Sequence, residues 1–169
     1  MVYDVTIIGG GIGGYVAAIR SAQAGMKVCL IEKDKIGGTC LNYGCIPTKS
    51  LLKSVSAYES VLRSDEFGVA GFDFNEITLD IQKMIERKNR IVRELTGGVS
   101  LLLRHHKIDV VTGFAVAIDA RKIEVDGRII DTKKIIIATG AEPAKVPIEG
   151  LSDSMENGYV VTSKEALEF

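Results

Sequence analysis

Cys40 and Cys45 are the residues of this chain best suited to chemistry, and they lie five positions apart. They stand in the run Gly37-Gly38-Thr39-Cys40-Leu41-Asn42-Tyr43-Gly44-Cys45-Ile46-Pro47-Thr48-Lys49. On an ideal helix, residues at that spacing have Cα atoms roughly 8 to 9 Å apart. A disulfide prefers Cα separations of about 4.4 to 6.8 Å. A bridge between them therefore needs a distorted turn, which Gly44 and Pro47 would permit or enforce. A bridge closed under distortion at a helix start is easily reduced, and a helix N-terminus favours thiolate over thiol. These features describe a working redox pair. Three other readings stand beside it. A structural disulfide requires secretion. A zinc site has only His105 and His106 as further ligands, far along the sequence. Two free buried thiols leave the flanking glycines unexplained. Cys29 reads differently, as an inert core residue of a buried strand.

A second constellation is Gly9-x-Gly11-x-x-Gly14, which follows an apolar run and opens a helix-like one. In such a turn the first glycine permits the tight bend, and the second lets backbone approach a pyrophosphate. The third lets helix and strand pack closely, while free N–H groups at the helix start face the anion. Glu32 ends the next apolar run at the spacing of a ribose-binding acid, about 20 residues on. A carboxylate there accepts hydrogen bonds from ribose hydroxyls and repels a 2′-phosphate. The glycines alone do not distinguish FAD from NAD.

The elements that must position these residues follow from periodicity. Tyr3 to Gly9 and Lys27 to Glu32 are short β-branched runs, the pattern of buried parallel strands. Gly13 to Gly25 is a small-residue helix closed by glycine, so the three form a βαβ unit. Gly37 onward becomes a helix that continues towards Leu62. Ile77 to Leu103 has near-helical apolar spacing, with a break expected at Gly97-Gly98. Strands are expected over Asp109 to Gly113, Phe114 to Ile118, Lys122 to Val125, Arg128 to Asp131 and Lys134 to Ala138, with Asp126-Gly127 as a hairpin turn. Met155 to Phe169 has no strong period and is expected to trail over the surface. No repeat or low-complexity segment appears.

Composition narrows the function classes. The 169 residues are 46% hydrophobic, enough for one domain with a real core. With 25% charged residues and a net charge of -1, no basic excess exists to neutralise a nucleic-acid backbone. The start Met1-Val2-Tyr3-Asp4 lacks the positive n-region of a secretory signal, and no stretch is long and apolar enough to span a bilayer. The expectation is a soluble, cytoplasmic protein without nucleic-acid or membrane partners, and without a bound metal.

The segment IGGTCLNYGCIPTKSLL resembles the active-site segment of the flavin-dependent pyridine nucleotide–disulfide oxidoreductases, through its GGTC-x-N-x-GC-x-P-x-K pattern. Leu41 and Cys45-Ile46-Pro47 look most like the dihydrolipoamide dehydrogenase branch. The glutathione and mercuric reductases are the alternative branches. Ile135 to Gly140 resembles the family's second flavin motif, and Thr162 to Leu167 resembles the segment that precedes its NAD domain.

The resemblance implies an α/β fold: a Rossmann-like FAD-binding domain with a parallel sheet, helices and a small antiparallel β-meander. It implies residues 1–150 as that domain, and 151–169 as a segment leading toward an NAD-binding domain. By the same resemblance, Cys40 is the interchange thiol and Cys45 the thiol against the isoalloxazine. Lys49 is the lysine near flavin N5. Gly9, Gly11, Gly13, Gly14, Glu32, Lys33, Gly38, Thr39 and Cys40 hold the adenosine and pyrophosphate. Ala115 contacts the adenine, and Thr139-Gly140 closes over the cofactor. The implied substrate is dihydrolipoamide or another small thiol or disulfide, with NAD as acceptor in the full-length enzyme. The family also implies a homodimer, within a 2-oxo acid dehydrogenase or glycine cleavage complex. A second GxGxxG turn, the later flavin motif and the interface domain with its His–Glu pair have no counterpart in this sequence. The polypeptide by itself is therefore expected not to turn over substrate. A flavin-binding redox module without turnover, or an NAD-only domain, is the alternative outside the enzyme class.

Overall fold

The computed structural model describes residues 2–71, 73–144 and 146–168. Met1 and Phe169, the outer ends of two stretches named above, lie outside the described residues.

The N-terminal apolar run divides at Asp4 into β1 (Val2–Tyr3) and β2 (Val5–Ile8). Asp4 explains the division. Its carboxylate accepts the Lys27 amide at 2.8 Å and pairs with Lys133 at 2.8 Å, so it cannot continue one flat strand. After α1 (Ile12–Gln23) the chain forms β3 (Val28–Glu32), then α2 (Gly38–Tyr43) and α3 (Cys45–Leu62). A short 3-10 turn at Ser64–Phe67 precedes the long α4 (Ile81–His105). Strands β4 (Asp109–Thr112), β5 (Ala115–Asp119), β6 (Lys122–Val125), β7 (Arg128–Thr132) and β8 (Ile135–Ile137) follow. Then come α5 (Leu151–Glu156) and a last 3-10 turn, Glu165–Leu167.

Strands β4-β3-β2-β8 form one all-parallel sheet, in that order. The meander β5-β6-β7 is antiparallel, and β1 joins it beside β7. Its hairpin closes on Asp126 and Gly127, both at positive φ, 47° and 81°, as a twisted two-residue turn requires. The parallel sheet is covered on both faces, which is why its strands are continuously apolar. Val5, Ile7, Val28 and Leu30 face the helices and pack with Ala18, Val99 and Leu103. Cys29 and Ile31 point the other way, onto Ile123 and Val125 of the meander. Burying each of these larger side chains contributes about 1.5–3 kcal/mol. The arrangement is the expected mixed α/β, Rossmann-like architecture.

Three local expectations are corrected. α4 runs unbroken through Gly97-Gly98, because Val99 and Leu103 on the same turns are buried against the sheet. Two glycines cost only about 1 kcal/mol each in a helix, less than that burial contributes. α4 also begins at Ile81 rather than Ile77, where Asp80 caps it by accepting the Lys83 amide at 3.0 Å. The segment after Met155 is exposed, yet its last turn is tied down. Lys88 of α4 donates to the Leu167 carbonyl at 2.6 Å.

Candidate active site

The parallel strand β2 has β3 on one side and β8 on the other, so the chain changes direction across β2. Ligand crevices of such sheets open at this point, beyond the carboxyl ends of the strands. The glycine run lies there. Gly9 takes φ 106°, a conformation disfavoured for any residue with a Cβ, while its amide donates to the Ile31 carbonyl at 2.8 Å. A Cβ on Gly14 would collide with the Gly9 carbonyl, so α1 can start this close to β2 only with glycine at that position. Gly11 is the residue immediately before α1, and Gly13 lies in its exposed first turn.

Glu32, at the end of β3, turns its carboxylate back on this loop. One oxygen accepts the Gly10 amide at 2.6 Å and the other accepts the Asp34 amide at 2.8 Å. Each oxygen retains a lone pair for a further donor. Beside it opens a cavity of about 270 Å³. Gly9, Glu32, Lys33, Ala115 and Thr139 line it, together with apolar Ile8, Ile31 and Phe114. Gly140 follows Thr139 as an exposed residue at φ 73°. Across the rim, Lys33 pairs with Glu142 at 2.9 Å. This ion pair holds the Lys33 pKa above the lysine value and the Glu142 pKa below the carboxylate value.

The cysteine run adjoins the glycine loop. The Gly37 amide donates to the Gly10 carbonyl at 2.9 Å, and the Gly38 backbone lies against that of Gly11. Asn42 is buried and fixes this junction, donating to the Ile36 carbonyl at 3.1 Å and the Gly38 carbonyl at 3.0 Å. The single helix expected from Gly37 onward is divided at Gly44, which takes φ -146° and ψ -110° between α2 and α3. Little room exists for a side chain there: a Cβ would meet the Thr39 carbonyl oxygen at 3.0 Å. Pro47 sits in the first turn of α3, where its missing amide costs nothing. The division sets Cys45 at the start of α3, just past Cys40 of α2. Both thiols are free, Cys40 half-buried and Cys45 exposed, and near enough for Cys45 to be the largest influence on Cys40.

The Cys40 pKa is raised above the ordinary thiol value, first by the side-chain hydrogen bond with Cys45, then by partial burial and by the charge of Cys45. The backbone N–H of Cys45 and the charge of Lys49 oppose this. At Cys40 the neighbouring sulfur outweighs the lowering influence of that N–H, which belongs to the first residue of α3. Thr39 and Lys49 are exposed on α2 and α3, Lys49 one turn beyond Cys45. Cys29, 0% exposed, has its thiol pushed up to about 12, by burial first and then by the charge of Asp109. His105 and His106 stack edge-to-face at the far end of α4, remote in the chain from both cysteines.

Residues 3–169 match the pyridine nucleotide-disulphide oxidoreductase family. The chain belongs to that family. Among relatives of the family, the dihydrolipoyl dehydrogenase of Acholeplasma laidlawii is 46% identical over 165 residues, covering 98% of this chain and 48% of the relative. The Bacillus subtilis enzyme of the same name is 41% identical over 180 residues, covering 98% and 36% respectively. The HOCl-induced flavoprotein disulfide reductase RclA of Escherichia coli, solved as its Cu(II) complex, superposes with a TM-score of 0.77. It is 32% identical over 98% of this chain and 33% of its own. The chain spans between a third and a half of the length of these oxidoreductases.

Several residues at the site have no reading in the sequence. Asn42 stands inside the GGTC-x-N-x-GC pattern, which was a usable signal. Tyr43, Lys35, Glu142 and Lys88 carry none; Glu142 and Lys88 meet partners far away in the chain, and Tyr43 meets Lys164.

Proposed function

We propose that this chain is the FAD-binding, disulfide-bearing part of a dihydrolipoamide dehydrogenase-type flavoprotein. Residues 1–150 form the flavin domain, and 151–169 lead on toward a nicotinamide-binding part. The observation that carries the reading is the placement of Cys40 and Cys45 on either side of the break at Gly44, on a turn whose start packs against the glycine loop. The residues present fit the cofactor. The cavity beside Glu32 has apolar walls for an adenine and a fixed carboxylate for ribose hydroxyls. The glycine loop has no side chains to obstruct a pyrophosphate at the start of α1. Gly9, Gly11, Gly13, Gly38, Thr39 and Cys40 would hold the pyrophosphate, with Gly14 letting α1 start close to β2, and Glu32, Lys33, Ala115, Thr139 and Gly140 would hold the adenosine. When bound, FAD supplies the two-electron chemistry that connects a cysteine pair to NAD.

The chain's own residues then act as follows. A substrate thiolate attacks the Cys40 sulfur of the Cys40–Cys45 disulfide, and the S–S bond breaks toward Cys45, which leaves as thiolate. The second substrate thiol attacks the mixed disulfide and displaces Cys40, which takes up a proton; its raised pKa suits it to hold that proton. The substrate departs as a disulfide, and two electrons remain on the cysteine pair. Lys49, a turn beyond Cys45, offers positive charge where negative charge collects. The whole enzyme would convert dihydrolipoamide and NAD to lipoamide and NADH. It would do so in the cytoplasm as a homodimer, within a 2-oxo acid dehydrogenase or glycine cleavage complex.

The test is reconstitution. The purified chain incubated with FAD should turn yellow and, titrated with a dithiol, develop a long-wavelength absorbance band that Cys45→Ala lacks. A protein that takes up no FAD, or a titration without spectral change, overturns the reading.

A further inference from the structure

Tyr43 lies between the two cysteines, at the end of α2, and two ammonium groups lie against its ring. Lys35 Nζ stands 5.2 Å from the ring centroid and Lys164 Nζ 4.2 Å from it. The Tyr43 hydroxyl donates to Asp34 Oδ2 at 2.9 Å, and the same oxygen lies 4.0 Å from Lys164 Nζ. Lys35 and Asp34 are neighbours on the loop after β3. Lys164 arrives from the opposite end of the sequence.

The segment that carries Lys164 has its own anchor. The Thr162 amide donates to Glu165 at 2.8 Å and the Ala166 amide to the Thr162 carbonyl at 3.0 Å, which folds the segment into a compact turn. Lys88 of α4, only 1% exposed, donates to the Leu167 carbonyl at 2.6 Å and lies 3.5 Å from Glu168 Oε1. A buried ammonium is stable only where such partners meet it, so the turn and Lys88 hold one another. Lys35, Tyr43, Lys164, Glu165 and Glu168 line a crevice of about 470 Å³ where this strap meets α2.

We propose that Tyr43 is a positioning residue of the redox turn, gripped by Lys164 from a strap anchored on Lys88, and that this grip sets the balance between disulfide and dithiol at Cys40 and Cys45. The proposal rests on the redox reading of the pair given above. Closing the bridge removes two electrons and two protons from the two thiols. An oxidised dithiol reagent accepts both and opens to its own dithiol. A gripped turn keeps the sulfurs adjacent in both states. A loosened turn gains conformational freedom in the dithiol state alone, because only there are the sulfurs free to separate. Releasing the grip therefore favours the dithiol.

The experiment equilibrates the whole chain in dithiothreitol redox buffers and reads the bridged fraction by thiol trapping and mass spectrometry. Lys164→Met should shift the equilibrium toward dithiol about three- to tenfold, roughly 14 to 30 mV at 29.6 mV per tenfold. Lys164→Arg, which keeps a cation over the ring, should stay at the wild-type value. Tyr43→Leu should shift as Lys164→Met does, and Tyr43→Phe by less. Lys88→Met touches neither Tyr43 nor a cysteine, yet should move the equilibrium the same way. The double variant Lys88→Met/Lys164→Met should move it no further than the larger single change. Lys164 is half exposed, so its variants keep the test valid even if Lys88→Met fails to fold. A Lys164→Met equilibrium equal to wild type, an equal shift in Lys164→Arg, or additive single shifts overturns the proposal. A wild-type pair that closes in no buffer refutes the redox reading itself. A pair that closes but ignores Lys164 refutes the strap alone.

Discussion

The amide of Gly10 donates to the Glu32 carboxylate at 2.6 Å, joining the glycine loop to the end of β3. The second oxygen is held by the Asp34 amide at 2.8 Å, so the carboxylate is oriented by backbone on both sides. Glu32 thereby has two duties: it braces the loop and presents its remaining lone pairs to the cavity.

Glu32→Gln separates these duties poorly, and that is what makes it informative. The amide group can accept from only one of the two backbone donors and turns its own NH2 toward the other. One charge-assisted hydrogen bond is lost, worth about 1.5–3 kcal/mol. FAD affinity, measured by fluorescence titration of the apoprotein, should fall at least about tenfold. Unchanged affinity would remove Glu32 from the nucleotide site.

The unbroken α4 leads to a stability prediction. A Cβ at Gly97 or Gly98 meets nothing within 4 Å, and both residues lie within the helix Ile81–His105. Neither glycine therefore serves a close approach. Gly97→Ala and Gly98→Ala should each raise stability by about 0.5–1 kcal/mol, through helix propensity alone. Urea unfolding midpoints check this, and a lower midpoint in either variant would show a role for the bare backbone there.

The same pair of glycines illustrates what a linear reading captures. Local signals transferred well. The apolar runs are β2 and β3 and Asp126-Gly127 is the hairpin, whereas the single helix expected from Gly37 onward is divided at Gly44. Gly97-Gly98 misled because the burial of Val99 and Leu103 overrides propensity, and burial is a tertiary quantity. Lys88 was illegible for a related reason. It sits among Arg87 and Arg90 on a charged stretch of helix, and only the folded chain brings Leu167 and Glu168 to it. Tyr43 likewise gains meaning only through Lys164.

Alkaline stability follows from two acids, the buried Cys29 and the half-buried Tyr3. The Cys29 thiol is pushed from 9.0 to about 12 by burial and then by the charge of Asp109. Tyr3 is raised from 10.0 to about 12, by burial first and next by the hydrogen bond it donates to Asp109. Both groups keep their protons longer in the folded state than in the unfolded one. Their contribution is therefore intact below the unfolded values and is lost as pH rises toward the folded ones. Folding stability should decline between pH 9 and 12, and Cys29→Ala should flatten the first part of that decline. An equally steep profile in Cys29→Ala would exclude the thiol as its source.

Cys40 gives the sharpest pH test of the redox turn. Its largest raising influence is the side-chain hydrogen bond with Cys45, while the Cys45 backbone N–H and Lys49 pull the other way. Cys45→Ala removes the sulfur and its charge but retains the backbone N–H, so the lowering influences remain without their main opponent. Alkylation of Cys40 requires thiolate. The rate of its reaction with iodoacetamide, followed on the Cys40 peptide by mass spectrometry, should therefore rise at lower pH in Cys45→Ala than in wild type. Adding Lys49→Met to that variant should move the profile back up. A Cys40 profile that stays in place when Cys45 is removed would mean that the two sulfurs do not sense each other.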